Sequence, residues 1–270
     1  MDCLSSGFAD IDHSNDSSIF TSCLVTLNSL PYFQDYKRKS FDLMNARDGC
    51  RVLEVGCGLG FDAIALAKIV GNTGRVVAVD SSQTMLEAAR SSAEGLGLCI
   101  NFVLGDAGHL DLADESFDCA RVDRTLQHIP EPKKVLAEMT RVTKSGGRIV
   151  AYEPDWGTFT IGSRNRQVTR KIADFWCDTF KNGWIGRYLY RHFMAIGLED
   201  VQVYPSTLVI TDLDLAEKVF DLFKNAEKAM NLGLVSSSEV VAWLKELRED
   251  SLQGRFSCSY TGFMVCGSKP

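Results

Sequence analysis

Three glycines, Gly56, Gly58 and Gly60, lie between an apolar stretch at 51–55 and a run with helical spacing of apolar residues at 63–70. Glycine lacks a Cβ atom, so a glycine-rich bend can turn sharply and let a ligand approach the backbone. The start of a helix offers free N–H groups and a partial positive charge. This pattern therefore predicts a binding site for a nucleotide-type cofactor.

The spacing of the glycines distinguishes between classes of cofactor. Dinucleotide-binding loops read G-x-G-x-x-G, and their third glycine allows the helix to pack closely on the sheet. Here Phe61 takes that position, and the loop reads G-x-G-x-G with Glu54 two residues ahead. A P-loop would continue into Gly-Lys-Ser or Gly-Lys-Thr, which does not follow. A nicotinamide-dependent oxidoreductase is thus an alternative that Phe61 disfavours.

Acidic residues recur at the ends of the predicted strands. Asp80 follows an apolar strand at 75–79, and Asp106 follows another at 100–104. Glu54, Asp80 and Asp106 are equally spaced, at the length of one strand-helix-strand step. A carboxylate at the carboxyl end of a strand can accept hydrogen bonds from ribose hydroxyls.

At this point the chain resembles the class I S-adenosylmethionine-dependent methyltransferases. Their first motif, (V/L)-(D/E)-x-G-x-G-x-G, matches Leu-Glu-Val-Gly-Cys-Gly-Leu-Gly at 53–60, and residues 40–155 carry most of the resemblance. The resemblance implies a Rossmann-like α/β sheet of seven strands, six parallel and the seventh antiparallel, with helices on both faces and a helical lid. It also implies transfer of a methyl group from S-adenosylmethionine to a small molecule, as in quinone biosynthesis or secondary metabolism, leaving S-adenosylhomocysteine.

The resemblance also implies which residues bind the cofactor. They are Glu54, Gly56, Cys57, Gly58, Gly60, Asp80, Ser81, Met85, Gly105, Asp106, Ala107, Asp123, Arg124 and Gln127. Glu54 would orient the loop and the methionine amino group, although a buried salt bridge is the competing interpretation. Asp106 would receive the adenine amino group, and Cys57 is expected to be a small packed side chain.

His128 and Glu153 are the candidate catalytic residues. His128 follows the predicted fourth strand at 116–122, and its ordinary pKa suits proton abstraction at neutral pH. Its alternative role is to shape the loop through hydrogen bonds. Glu153 ends the predicted fifth strand beside Trp156, where it either faces the acceptor or caps a turn. The histidines and cysteines lack the clustered spacing of a zinc site, so we expect no metal.

Two helical regions flank the predicted βαβ core. Residues 1–44 are predicted to form an N-terminal helical cap, with one helix from Phe20 to Met44 whose tyrosines and phenylalanines lie over the cofactor or in the core. The methyltransferase domain would span 45–270. Two helices are predicted to interrupt it at about 213–250, the second opening with a capping box at 236–239.

The composition narrows the class of partner and the cellular location. A net charge of −6 argues against nucleic acid, and no apolar run reaches the length of a membrane helix. Nine cysteines without a C-x-x-C pair, and a start lacking a signal peptide, favour the reducing cytoplasm. The composition leaves a homodimer possible. Oxygen is favoured as the methyl acceptor because of His128, and a non-methylating rearrangement or cyclisation is the alternative function.

Overall fold

A seven-stranded mixed sheet forms the centre of the computed structural model, which describes residues 4–270 except the side chains of Ser5 and Ser6. The strands are β1 (Arg51–Val55), β2 (Arg75–Asp80), β3 (Ile100–Leu104), β4 (Phe117–Asp123), β5 (Thr143–Ile161), β6 (Glu199–Ile210) and β7 (Cys258–Ser268). Their order is β3-β2-β1-β4-β5-β7-β6, and β7 pairs antiparallel with both β5 and β6. The predicted sheet is confirmed. The first three residues of the predicted cap at 1–44 lie outside the described residues.

Helices cover both faces of this sheet. They are α1 (Leu4–Gly7), α2 (Ser18–Ser29), α3 (Pro31–Leu43), α4 (Phe61–Val70), α5 (Gln83–Ala93), α6 (Pro132–Val142), α7 (Arg166–Asp178), α8 (Ile185–Ala195), α9 (Leu213–Phe220), α10 (Leu222–Asn231) and α11 (Ser237–Leu252). Successive side chains of a strand point to opposite faces. Accordingly, Val52 joins one buried apolar cluster, whereas Leu53 and Val55 join another. No helix of residues 4–270 is long and apolar enough to cross a membrane.

The fifth strand is longer than its sequence indicates. We expected it to end at Pro154, but β5 continues to Ile161. Its partner β7 also continues, and the register between them shifts between Asp155 and Thr160. Such a bulge bends a strand without ending its pairing. Glu153 and Trp156 therefore lie within a strand and not at its end.

The N-terminal region contains two helices where one was predicted. Leu30 separates α2 from α3 in an extended conformation, and Pro31 occupies the first turn of α3. Proline disfavours the helical region for the residue before it but fits the first turn of a helix. Pro31 therefore explains the break that the single predicted helix lacked.

The insertion between β6 and β7 contains three helices, not two. Asp221 has a left-handed backbone (φ +49°) and separates α9 from α10, so the predicted continuous helix is wrong there. The backbone N–H of Leu4 donates to the Asp221 carboxylate at 2.9 Å. This bond connects the N-terminal segment to the insertion. The capping box predicted at 236–239 is present at the start of α11.

Candidate active site

A cavity of about 290 Å³ opens at the carboxyl ends of β1 to β4. Ligands of open α/β sheets bind at this edge. Its lining includes most of the residues expected to bind the cofactor: Glu54, Gly56, Cys57, Gly58, Asp80, Ser81, Met85, Gly105, Asp106, Ala107, Asp123, Arg124 and Gln127. His128 also lines it. The fold thus brings together residues that are far apart in the sequence.

Gly60 is the one expected cofactor residue outside this lining. It is the N-cap of α4, directly before Phe61, and its backbone is left-handed (φ +76°). A Cβ atom at Gly60 would lie 2.9 Å from the Cβ atom of Ala89. Its small size therefore allows α4 and α5 to pack closely. Gly56 differs, because its Cβ would lie 2.1 Å from the Thr125 hydroxyl, beside the cavity. The placement of Gly60 gives it a packing role in place of the expected contact.

Asp80 is fixed by the loop that it faces. One carboxylate oxygen accepts the Gly58 N–H at 2.7 Å, and the other accepts the Ser82 N–H at 3.0 Å. Burial raises the pKa of Asp80 despite these hydrogen bonds. The carboxylate thus joins the end of β2 to the glycine loop while still lining the cavity.

Glu54 forms a buried salt bridge with Arg121. The two residues are register partners on β1 and β4, and Arg121 Nη1 lies 2.5 Å from Glu54 Oε1. The second Glu54 oxygen, Oε2, is buried without a hydrogen-bond partner, and Glu54 lines the cavity. Burial raises the pKa of Glu54, and Arg121 opposes that effect. One oxygen is therefore in the salt bridge, and the other has capacity for a cationic ligand group.

Arg121 also binds two other carboxylates, and sequence reasoning missed it. Its guanidinium lies 3.0 Å from Asp62 and 2.8 Å from Asp123. Lys37 pairs with Asp62 at 2.9 Å, and the Tyr36 hydroxyl donates to both oxygens of Asp123 at 3.1 Å. A charged residue between Ala120 and Val122 in a buried parallel strand was the available signal, because such strands are usually continuously apolar.

Tyr36 belongs to this core and not to a cover over the cofactor. Its ring stacks on Tyr152 at 3.9 Å, and the residue lies outside both cavity linings of the described chain. The Tyr32 and Tyr152 hydroxyls form a hydrogen bond with each other, and Tyr32 also lies outside the linings of the two cavities. The interpretation of these tyrosines as core residues is the one that the geometry supports, whereas Phe33 lines a second cavity.

His128 lies at the junction of the two cavities. It ends a 3-10 turn at Leu126–His128, and its ring centre lies 5.5 Å from Phe8 and 5.7 Å from Phe180. It lines both cavities.

Glu153 lines neither of these two cavities, so its placement favours the alternative interpretation, a turn cap, over a residue that faces the acceptor. The side chain is buried, and its carboxylate accepts the backbone N–H groups of Thr125 at 2.8 Å and Leu126 at 2.6 Å. These groups begin the turn that carries His128. Glu153 therefore caps this turn, which was the alternative interpretation, and burial raises its pKa to about 8.

The second cavity, of about 50 Å³, adjoins the first and is lined mainly by rings. The rings in its lining include those of Trp156, Trp176, Phe180 and Phe220. The Trp156 indole N–H donates to the Gln127 side chain at 2.7 Å, which fixes the ring.

The N-terminal segment covers the first cavity. Phe8, Ala9 and Ile11 line it, and all three belong to the region predicted as an N-terminal cap at 1–44. Asp12 attaches the segment to the start of α5, since its carboxylate accepts the Ser82 hydroxyl at 2.6 Å and the Gln83 N–H at 2.8 Å. Such contacts between distant segments depend on the tertiary fold.

The sheet order, the glycine loop and the strand-end carboxylate together define a cofactor-binding α/β protein with an adjoining apolar cavity. Among residues 4–270, no group of three or more His, Cys, Asp or Glu side chains is arranged to hold a metal ion. The site therefore has the parts needed to bind and orient an adenosyl group and a second, less polar molecule.

Comparison with known proteins identifies the family. A family model described as "Methyltransferase domain" matches residues 46–192. Demethylmenaquinone methyltransferase of Bacillus cereus (strain ATCC 10987 / NRS 248) is 30% identical over 212 residues, which cover 71% of this chain and 89% of that protein. The chain belongs to the class I S-adenosylmethionine-dependent methyltransferases.

Two further similarities extend this result. An uncharacterized 37.1 kDa protein in transposon TN4556 of Streptomyces fradiae is 40% identical over 233 residues, covering 86% of this chain. The matched part is 66% of that protein, just under two thirds of its length. The crystal structure of BH2331 from Bacillus halodurans C-125 matches with a TM-score of 0.63 at 21% identity, covering 87% of this chain and 99% of that one. At 21% identity, the similarity to BH2331 shows a shared fold and no more.

Proposed function

We propose that the protein transfers a methyl group from S-adenosylmethionine to a small-molecule acceptor, with oxygen as the favoured acceptor atom. The observation that carries the proposal is the shared lining of one cavity. A strand-end carboxylate, Asp80, and an unpartnered buried oxygen of Glu54 line it together with the glycine loop. Ribose hydroxyls and an ammonium group are the complementary ligand groups.

The residues of the cavity fit this cofactor from end to end. Asp106 and Ala107 would hold the adenine end, and Asp80 the ribose. Gly56 would let the cofactor approach the backbone closely. A side chain at this position would collide with Thr125. Glu54 and Asp123 would hold the methionine end. The cofactor supplies a methyl group that is already activated by a sulfonium, so the protein contributes mainly orientation and exclusion of water.

The acceptor would bind in the ring-lined second cavity, next to His128. We assign His128 the role of accepting a proton from an acceptor hydroxyl at this junction. The name of the Bacillus cereus relative specifies demethylmenaquinone as its substrate. That name supports a small-molecule acceptor of biosynthetic origin for this chain. In this proposal residues 1–44 form the cap of a domain spanning 45–270, and the helices of the insertion form its lid.

Calorimetric titration of the purified protein tests the cofactor assignment. We expect uptake of S-adenosylmethionine and S-adenosylhomocysteine, and none of NAD or NADP. Asp80→Ala should weaken binding by about 1–3 kcal/mol, because hydrogen bonds to a charged group are lost. Glu94→Ala, at an exposed residue after α5, is the matched control and should bind normally. Unchanged affinity in Asp80→Ala would refute the role of Asp80.

Product analysis separates methyl transfer from the alternative function. Methyl transfer converts the cofactor stoichiometrically into S-adenosylhomocysteine. A rearrangement or cyclisation would consume the second molecule while the cofactor stays intact, and that result would overturn the proposed reaction without affecting the binding site.

A further inference from the structure

The second cavity continues directly from the first. Both are lined by Phe8, Leu27, Arg124, Gln127 and His128. Beyond this junction the walls of the second cavity are mainly aromatic and aliphatic. A molecule seated there would therefore touch mainly rings on its far side and the charged Arg124 only near the junction.

The aromatic wall is built around Trp156. Its ring stacks nearly parallel on Phe180, with centres 4.9 Å apart and planes at 15°, and lies 4.8 Å from the ring of Tyr260. The hydrogen bond to Gln127 prevents the indole from turning. A fixed wall of this kind favours a flat, apolar molecule, since aromatic rings prefer stacked or edge-to-face contacts.

Two buried N–H donors of this lining have no hydrogen-bond acceptor among the described residues. They are Nε of Arg124 and the indole nitrogen of Trp176, a residue that is only 3% exposed. Buried polar groups in native proteins almost always have partners. Both donors therefore call for acceptor atoms from a bound molecule.

Arg124 is held in a position that keeps its charge available. Its backbone is left-handed (φ +50°), its N–H donates to the Tyr152 carbonyl, and its guanidinium lies 4.8 Å above the Phe33 ring. The nearest carboxylate oxygen, on Asp123, is 3.6 Å away, beyond hydrogen-bond distance. Asp123 is also bound by Arg121. Arg124 can therefore bind a second anionic oxygen.

We propose that the junction of the two cavities, together with the second cavity, binds a planar aromatic acceptor that carries an anionic oxygen, a phenolate or a carboxylate. The ring packs on Trp156, the anionic oxygen binds Arg124 at the junction, and the Trp176 N–H donates to a further acceptor atom of the molecule. The assignment of this molecule as methyl acceptor rests on the proposed function. Its binding to the cavity does not.

Calorimetry with matched small aromatics tests the proposal on protein saturated with S-adenosylhomocysteine. At pH 8.5 the probes are 4-nitrophenolate, 4-nitrobenzoate and the neutral nitrobenzene, which shares their ring. We expect one of the two anions to bind about tenfold or more tightly than nitrobenzene, and the tighter one identifies the oxygen class. Equal affinity for all three probes would overturn the proposal.

Variants show whether the named residues cause this preference. Arg124→Met should abolish it, while Arg124→Lys should keep part of it. Trp176→Phe keeps an aromatic side chain, removes the donor and should weaken anion binding several-fold. Arg248→Met removes a guanidinium that lies over Phe223, outside the cavity, and should behave as wild type. An anion preference that persists in both Arg124→Met and Trp176→Phe would contradict the assignment.

Binding of S-adenosylhomocysteine is measured separately on the same samples. Its absence would sink the proposed function, and the probes would then be titrated into the protein alone. Loss of the anion preference with normal S-adenosylhomocysteine binding would sink only the acceptor class. The two failures are therefore distinguishable.

Discussion

Arg121 on β4 and Glu54 on β1 are register partners, and both side chains are almost fully buried. Arg121 Nη1 lies 2.5 Å from Glu54 Oε1. This pair joins the strand that leads into the glycine loop to the strand that leads into the His128 turn. Two more carboxylates, Asp62 and Asp123, lie on the same guanidinium. The geometry of the cofactor site therefore depends on one buried cation.

Replacing that cation should destabilise the fold strongly. Arg121→Met removes the shared partner of Glu54, Asp62 and Asp123, of which Glu54 and Asp123 are buried, and removing one side of a buried pair costs about 3–5 kcal/mol. We expect this loss in the free energy of unfolding, measured with urea. Arg38→Met breaks an exposed pair with Asp35 and should cost less than about 1 kcal/mol. A stable Arg121→Met protein would contradict this account of the network.

Glu153 should make stability depend on pH. Burial raises its pKa to about 8, whereas an unfolded glutamate titrates near 4.3. Between these values the folded chain keeps a proton that the unfolded chain has released. Its contribution is thus complete below about pH 4 and is lost as pH rises through 8.

The Glu153→Gln variant isolates this contribution, because its amide cannot ionise. Wild type should lose roughly 1.4 kcal/mol per pH unit relative to the variant between about pH 5 and 8. Urea unfolding across this range measures the difference. The exposed Glu94→Gln variant should run parallel to wild type. If the free energy of unfolding of Glu153→Gln changed with pH in the same way as that of wild type, Glu153 would be ionised over this whole pH range.

The Asp12 contact should hold the N-terminal segment over the cofactor. Desolvation acts to raise the pKa of Asp12, but hydrogen bonds from Ser82, Thr84 and Gln83 outweigh it and lower this pKa to about 2. Loss of such a helix-capping carboxylate costs about 1 kcal/mol. Asp12→Ala should therefore bind S-adenosylhomocysteine roughly fivefold more weakly by calorimetry. Asp10→Ala is the control, because the Asp10 carboxylate contacts His13. Equal affinities of Asp12→Ala and Asp10→Ala for S-adenosylhomocysteine would contradict the proposed role of Asp12.

His128→Ala should separate binding from turnover. We expect normal S-adenosylhomocysteine affinity and about 10²-fold or greater loss of turnover with a hydroxylated acceptor, since a positioned base contributes on that scale. His109→Ala changes a histidine outside both cavity linings and should keep its rate. Turnover at the wild-type rate in His128→Ala would exclude His128 as the base.

The sheet and the cofactor loop could be read from the sequence because their signals are local. The glycine spacing and the apolar strands each lie within a short window, and Glu54, Asp80 and Asp106 recur at the length of one strand-helix-strand step. These features, with the family resemblance, predicted the seven-stranded sheet and most of the cavity lining. The capping box at 236–239 was equally readable.

The rest depends on contacts between distant segments. The continuation of β5 to Ile161 is set by β7, and the break at Asp221 rests on one left-handed residue that has no glycine signal. Glu153 looked like a strand-end acid because its partners, the N–H groups of Thr125 and Leu126, lie in the turn after β4, distant in the sequence. Arg121 was overlooked although its place in an apolar strand was visible.

A crystal structure with S-adenosylhomocysteine tests the central claim most directly. We predict that the ribose hydroxyls lie within hydrogen-bond distance of Asp80 and that the amino group of the ligand meets Glu54 Oε2. An adenosyl group bound away from this cavity, or with its ribose out of reach of Asp80, would contradict the account.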